Sequence, residues 1–235
     1  MLLLVALIFG GVKLLGGIFS EEDKGKLLSK VTKDQVVGDD GISHLVYRTD
    51  KWNLVLLNKW NPVSKDLKPP LVRLDKGHEI DSRCKDDFLR MMKDCKDAGN
   101  APMVVSAYRT FEMQQAYYDG QVENLMEQGK SKKEAKREAA EEVAVPGTSE
   151  HHLGLAVDIV DENMQELDES QEETRAQKWL IKNSWKYGFI VRYPQGKEKL
   201  TGIIYEPWHY RYVGKKAAKE ITEKNLCLEE YLKDL

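Results

Sequence analysis

Ser149-Glu150-His151-His152-Leu153-Gly154-Leu155-Ala156-Val157-Asp158 carries the densest chemistry in the chain, and a second short segment, Glu206-Pro207-Trp208-His209, completes it. Together they offer imidazoles, a carboxylate able to bind a metal and a second carboxylate beside it. Catalytic zinc is usually held by three N or O side chains at roughly 2.0–2.2 Å, with a water in the fourth position. His151, Asp158 and His209 fill that count, and Glu206 remains as a proton acceptor. Seven residues of extended chain reach about 25 Å, so His151 and Asp158 can share one ion only if the chain doubles back between them. Gly154 stands where that turn is needed. From Leu155 the residues alternate, with Leu155, Val157 and Ile159 on one face and Ala156 and Asp158 on the other, the pattern of a half-buried strand. The small Ala156 leaves room for an ion beside Asp158. The helical metalloprotease pattern, with two histidines four apart, is absent from the sequence.

The second segment poses a geometric problem. Residues three apart in a regular strand point to opposite faces, so Glu206 and His209 cannot both face one metal in an ideal strand. Pro207 removes a ladder donor. A kink or strand end is therefore expected at Pro207, with Glu206 beside the metal rather than bound to it. Two plainer readings compete. His152 adjoins His151 and is the alternative ligand, and Glu206 could simply pair with Arg211.

The pattern Ser-x-His-x-x-Gly-x-Ala-x-Asp, followed by Glu-x-x-His, resembles that of the VanY-type D-alanyl-D-alanine carboxypeptidases, zinc peptidases that trim bacterial peptidoglycan stems. A third matching block lies upstream, Ser106-Ala107-Tyr108-Arg109-Thr110-Phe111-Glu112-Met113-Gln114, with Thr110 where the family more often has serine. The likeness runs from Trp52 to the C-terminus, taking in Leu57-Asn58-Lys59 and Tyr187-Gly188-Phe189. It implies one Zn2+ ion on His151, Asp158 and His209, since His151 rather than His152 completes the spacing to Gly154, Ala156 and Asp158. It also implies that Glu206 is the general base, that Arg109 and Gln114 line the substrate cleft, and that Ser149 binds substrate. A guanidinium at Arg109 can bind a carboxylate or steady a developing oxyanion. Ser149 lacks the surroundings of a nucleophile. The implied reaction is D,D-carboxypeptidase cleavage of peptidoglycan stem peptides. An L,D-carboxypeptidase acting on tetrapeptide stems and a zinc-containing cell-wall binding module are the rivals. The order of elements predicts an α+β domain whose small, mainly antiparallel sheet carries the zinc; the resemblance implies the same fold, shared with Hedgehog-type domains.

The rest of the chain frames that centre. Its 235 residues suit one domain with appendages, and a net charge of -3 without a basic stripe argues against a nucleic-acid partner. Residues 1–19 are almost wholly apolar, with Lys13 the one charge, which predicts a membrane anchor; a cleaved secretory signal and a surface-lying helix are the alternatives. Each places the remainder at or outside the membrane, on the cell-wall side. Residues 20–50 are expected to form a polar stalk or entry segment, with a turn at Gly38-Asp39-Asp40-Gly41, and residues 51–235 the carboxypeptidase domain.

Within that domain, strands are expected at Asn53–Leu57, Met103–Val105 and Phe189–Tyr193. Helices are expected from Asp81 to Ala98, between Leu125 and Val143 with a capping box at Ser131, from a cap at Ser170 to Lys186 with a stop at Gly188, and near Lys215 to Asn225. Asp161 to Gln171 is expected to be a loop. Cys84 and Cys95 would lie about 16 Å apart along one helix, beyond disulfide reach, so no essential bridge is expected.

Overall fold

The computed structural model describes residues 32–38, 41 and 43–235. The apolar segment Met1–Phe19 and the first part of the expected stalk lie outside the described residues. Two small hairpins precede the main sheet: β1 (Thr32–Val37) with β2 (Ser43–Arg48), and β3 (Leu71–Arg73) with β4 (Glu79–Asp81). The first turns at glycines, where Gly41 N–H donates to the Gly38 carbonyl at 2.9 Å. It seats Tyr47 against the buried leucines Leu54 and Leu56.

The main sheet comprises β5 (Pro102–Ser106), β6 (Ala156–Asp161), β7 (Phe189–Tyr193) and β8 (Glu206–Tyr212), ordered β5-β6-β8-β7 with every neighbour antiparallel. Its alternation is the one foreseen after Gly154. Leu155, Val157 and Ile159 enter the larger apolar core with Tyr210 and Tyr212 of β8. Helix α1 (Lys85–Asp97) covers that face with Phe88, Met91, Met92 and Cys95, spaced as one helical stripe. Each such side chain contributes about 1.5–3 kcal/mol on burial. The opposite face carries Asp158, His209 and Arg211. Beside β7 it is roofed by α5 (Lys215–Glu223) and α6 (Leu228–Asp234) through Ile190, Ala217, Ile221 and Leu232, and elsewhere it is left for the site.

Two local expectations need correction, and one helix was not foreseen. Asn53–Leu57 is not a strand: its carbonyls at Asn53 and Val55 are taken by the Arg211 guanidinium, at 3.3 and 2.8 Å, rather than by a neighbouring strand. The region up to Val143 holds two helices, α2 (Phe111–Glu127) and α3 (Lys132–Glu142), separated at Gly129, whose φ of 93° only glycine adopts freely. Ser131 and Glu134 do form the capping box expected of them. Helix α4 (Arg175–Asn183) is capped by Thr174, not Ser170, because residues 169–173 form a short 3₁₀ turn of their own. Gly188 stops the segment as expected, at φ 86°. All three cysteines are buried free thiols.

Candidate active site

The chain reverses between His151 and Asp158 by means of a 3₁₀ turn, Glu150–Leu153, closed by Gly154 at φ 66°. The position excludes any side chain as well as favouring that φ: a Cβ there would lie 2.9 Å from both the Asp81 amide nitrogen and Leu71 Cδ2. The reversal brings His151 Nε2 to 3.2 Å from Asp158 Oδ2. His151 Nδ1 donates to the Ala107 carbonyl at 2.6 Å, so its Nε2 lone pair faces the site. His209 arrives by sheet register, directly opposite Asp158, with Nδ1 at 3.1 Å from Asp158 Oδ1. Cross-strand partners share a face, which is why Asp158 and His209 converge.

The irregularity expected at Pro207 takes the form of a bulge inside β8 rather than a break. Val191 pairs with Tyr210 and Tyr193 with Glu206, so a two-residue step on β7 faces a four-residue step on β8. A bulge re-aims side chains. Here it turns Glu206 to the face of His209, its Oε2 at 3.5 Å from His209 Nδ1. Arg211 pairs with Glu150 instead, at 2.6 Å, which removes the reading of Glu206 as that arginine's partner.

One ligand atom each from His151, Asp158 and His209 lies within 4.8 Å of the others, and all three residues are buried. His151 Nε2 and Asp158 Oδ1 have no hydrogen-bond partner. Orphaned polar atoms at such depth are costly, and a shared cation satisfies them together. Two nitrogens and a carboxylate oxygen form a donor set suited to zinc. Burial, aided by the charge of Arg109, lowers His151 to about 4, which keeps its imidazole neutral. His209 is the reverse case: burial opposes its charge, but the carboxylates of Asp158, Glu150 and Glu206 raise it to about 9. Burial raises Glu206 to about 8, against the pull of His209 and with the push of Asp158. The Asp158 carboxyl stays well below its usual range, because the two histidines outweigh the cost of burial.

The site forms the floor of a cleft of about 440 Å³, within the range of small-molecule pockets. Arg109, Gln114 and Ser149 all line it. Arg109 Nη2 stands 3.5 Å from Asp158 Oδ2, and its Nε is buried without a partner. Gln114 is placed by α2, an element the sequence reading did not locate; its Nε2 donates to the Ala144 carbonyl at 2.6 Å and its Oε1 is unpartnered. His152 stays outside the site. Its ring stacks on Phe111 at 4.1 Å, Nδ1 donates to the Arg109 carbonyl at 2.8 Å, and Nε2 accepts from the Gly147 amide at 3.1 Å. It therefore splints the arginine segment to the metal turn.

Sequence reading missed Glu150, which is fully buried behind His209. Its Oε1 accepts from Arg192 Nε at 2.8 Å and Arg211 Nη1 at 2.6 Å. Those two guanidiniums hold its carboxyl below the usual range despite complete burial. A signal was present, since Arg192 and Arg211 sit within apolar strands and a buried charge needs a partner.

This geometry can be set against known proteins. The sequence model of the VanY family, D-alanyl-D-alanine carboxypeptidase, matches residues 77–215. The chain belongs to the VanY family. Among its VanY relatives, a D-alanyl-D-alanine carboxypeptidase of Enterococcus faecalis (strain ATCC 700802 / V583) is 43% identical over 182 residues, covering 77% of this chain and 66% of that protein. The chain spans from half to about two thirds of the length of the first three curated relatives it matches. Among solved structures, a point mutant of the vancomycin-resistance D,D-pentapeptidase VanY from a VanB-type cassette, in complex with Zn(II), superposes with a TM-score of 0.71 at 42% identity, covering 77% of this chain and 99% of that one. The LD-carboxypeptidase LdcB superposes with a TM-score of 0.69 at 36% identity, covering 86% of this chain and 94% of that one. The α+β fold expected from the order of elements is thus the fold of VanY proteins.

Proposed function

We propose that this VanY protein is a zinc-dependent D,D-carboxypeptidase that hydrolyses the C-terminal D-Ala-D-Ala bond of peptidoglycan stem peptides. The observation that carries the reading is the convergence of His151, Asp158 and His209, with the Glu206 carboxylate 3.5 Å from His209 Nδ1, on the floor of a cleft that also holds Arg109. Bound to that triad, zinc supplies Lewis acidity and brings the pKa of a water to near 7. Glu206 takes the proton from the attacking water, a role its bulge-directed carboxylate suits. The Arg109 guanidinium faces the oxygen of the attacked carbonyl, where developing charge needs a donor. Glu206 then hands its proton to the departing D-alanine amine. Gln114 and Ser149 bind the last residues of the stem, the unpartnered Gln114 Oε1 accepting a peptide N–H.

The similarity to LdcB supports a second reading, in which the scissile bond is L,D and the substrate a tetrapeptide stem. Digesting synthetic pentapeptide and tetrapeptide stems with zinc-loaded protein and identifying the products separates the two. Release of one D-alanine from the pentapeptide alone supports the D,D reading, and release from the tetrapeptide alone rejects it. No released D-alanine from either leaves the peptide-binding module as the remaining account.

We further propose that residues 1–19 anchor the protein so that residues 51–235 work on the cell-wall side of the membrane, with residues 20–50 as the entry to that domain. The apolar run with its single lysine supports this. Among the described residues no helix is long and apolar enough to cross a membrane. Removing residues 1–19 should move the protein from the membrane fraction to the soluble one, and an unchanged distribution would reject the anchor.

A further inference from the structure

We propose that Glu150 is a positioning residue for the metal centre: its free carboxylate oxygen accepts the Nε2–H of His209 and so commits Nδ1 of that ring to the metal. The inference rests on the zinc reading of the triad. Glu150 lies on the 3₁₀ turn immediately before His151 and has no exposed surface. Of its two oxygens, Oε1 is fully engaged by Arg192 and Arg211, whereas Oε2 is buried with no hydrogen-bond partner. The atom facing Oε2 is His209 Nε2, 3.8 Å away and likewise buried without a partner. Two orphaned, complementary atoms that face one another at this depth have no solvent to satisfy them.

At 3.8 Å the pair is too long to be a hydrogen bond. A shift of about 1 Å by the imidazole brings it into range. The ring's other nitrogen is already on the metal side, at 3.1 Å from Asp158 and 3.5 Å from Glu206. The two histidines would therefore bind through opposite nitrogens, each fixed by an acceptor behind it. For His151 the acceptor is the Ala107 carbonyl, and for His209 it is the Glu150 carboxylate. Metal-bound histidines generally donate their second N–H in this way, and loss of the acceptor typically weakens metal affinity 10–100-fold.

What makes Glu150 a fixed acceptor is the frame behind it. Arg192 is held on its far side by Glu229, at 2.9 and 2.7 Å, and Glu229 in turn by Asn58 at 3.0 Å. Arg211 is tied to the Val55 carbonyl at 2.8 Å. The carboxylate cannot swing without breaking this lattice. The segment Leu57-Asn58-Lys59, remote from the ligands in sequence, thereby bears on the orientation of His209.

The test compares two conservative substitutions in the same lattice, Glu150→Gln and Glu229→Gln, by zinc affinity in competition with a chromogenic chelator and by thermal unfolding of the metal-free proteins. Both remove one buried negative charge beside Arg192, so both should lower the unfolding temperature. Glu150→Gln should weaken zinc by about 10–100-fold, while Glu229→Gln, which reaches His209 only through Arg192 and Glu150, should weaken it by clearly less. Equal weakening in both, or none in Glu150→Gln, overturns the proposal. Should Glu150→Gln fail to fold, histidine 15N–1H spectra of the unsubstituted zinc-loaded protein decide the matter. A slowly exchanging proton on His209 Nε2, with metal-shifted Nδ1, supports it; a metal-shifted Nε2 or a rapidly exchanging Nε2–H overturns it. If the unsubstituted protein binds no zinc at all, the zinc reading itself fails, an outcome distinct from either.

Discussion

Replacing Glu206 by glutamine separates the roles of the four residues on the cleft floor. The amide keeps the shape of the side chain but cannot take a proton from water, and general-base catalysis is typically worth 10²–10⁴-fold. That loss equals roughly 3–5 kcal/mol of activation free energy. Glu206 is not among the three residues whose ligand atoms meet, so zinc should stay bound. A second consequence follows from burial, which raises Glu206 from 4.5 to about 8. Between those values the folded metal-free protein holds a proton that the unfolded chain has released. The contribution of this group is therefore fully present below pH 4.5 and is lost as pH rises through about 8. Glutamine removes that dependence. At pH 9 the metal-free variant should be more stable than the unsubstituted protein, by at most about 5 kcal/mol, and the gap should close toward pH 4.5. D-alanine release, zinc content and denaturant titrations across that range measure all three effects. Turnover equal to that of the unsubstituted protein, or a stability difference that does not change with pH, would refute the assignment.

The other predictions probe the ligands, the turn and the scaffold. His209→Ala removes one of the three proposed zinc ligands and should abolish both zinc binding and turnover, which metal analysis after gel filtration and an assay of D-alanine release would show. Gly154→Ala forces an L-residue to φ 66° and places a methyl 2.9 Å from the Asp81 amide. It should cost about 2–4 kcal/mol in denaturant unfolding and weaken zinc by displacing His151. Asp87 accepts from Tyr212 at 3.1 Å and pairs with Lys215 at 2.9 Å. Burial pushes its carboxyl upward, but these partners and Arg90 outweigh that and hold it below 3.8. Its contribution is thus present above pH 3.8 and lost as pH falls through its lower folded value. Asp87→Asn should cost about 1–2 kcal/mol at neutral pH, with the difference vanishing in acid-denaturation curves below that window.

Much of the site was legible in the sequence because its chemistry is written in local spacing. The histidine, glycine and aspartate of residues 149–158 imply a turn followed by a strand, and each is a property of a few consecutive residues. Pro207 likewise announced an irregularity before its form was visible, since a missing donor must be accommodated somewhere in a ladder. The apolar stripe of Phe88, Met91, Met92 and Cys95 declared its own helix. Three features were closed to that reading. Asn53–Leu57 has the composition of a strand, yet a guanidinium distant in sequence claims its carbonyls. Helix α2 buries few of its side chains, so no periodic stripe advertised it, although it places Gln114. Glu150 looked like a spacer between a serine and a histidine. Only the packing of β7 and β8 against the 3₁₀ turn, which traps two arginines where water cannot reach them, places its carboxylate behind His209. Short-range geometry is encoded by neighbours along the chain, whereas the pairing of buried charges depends on which distant strands are brought together, and that is settled only when the sheet closes.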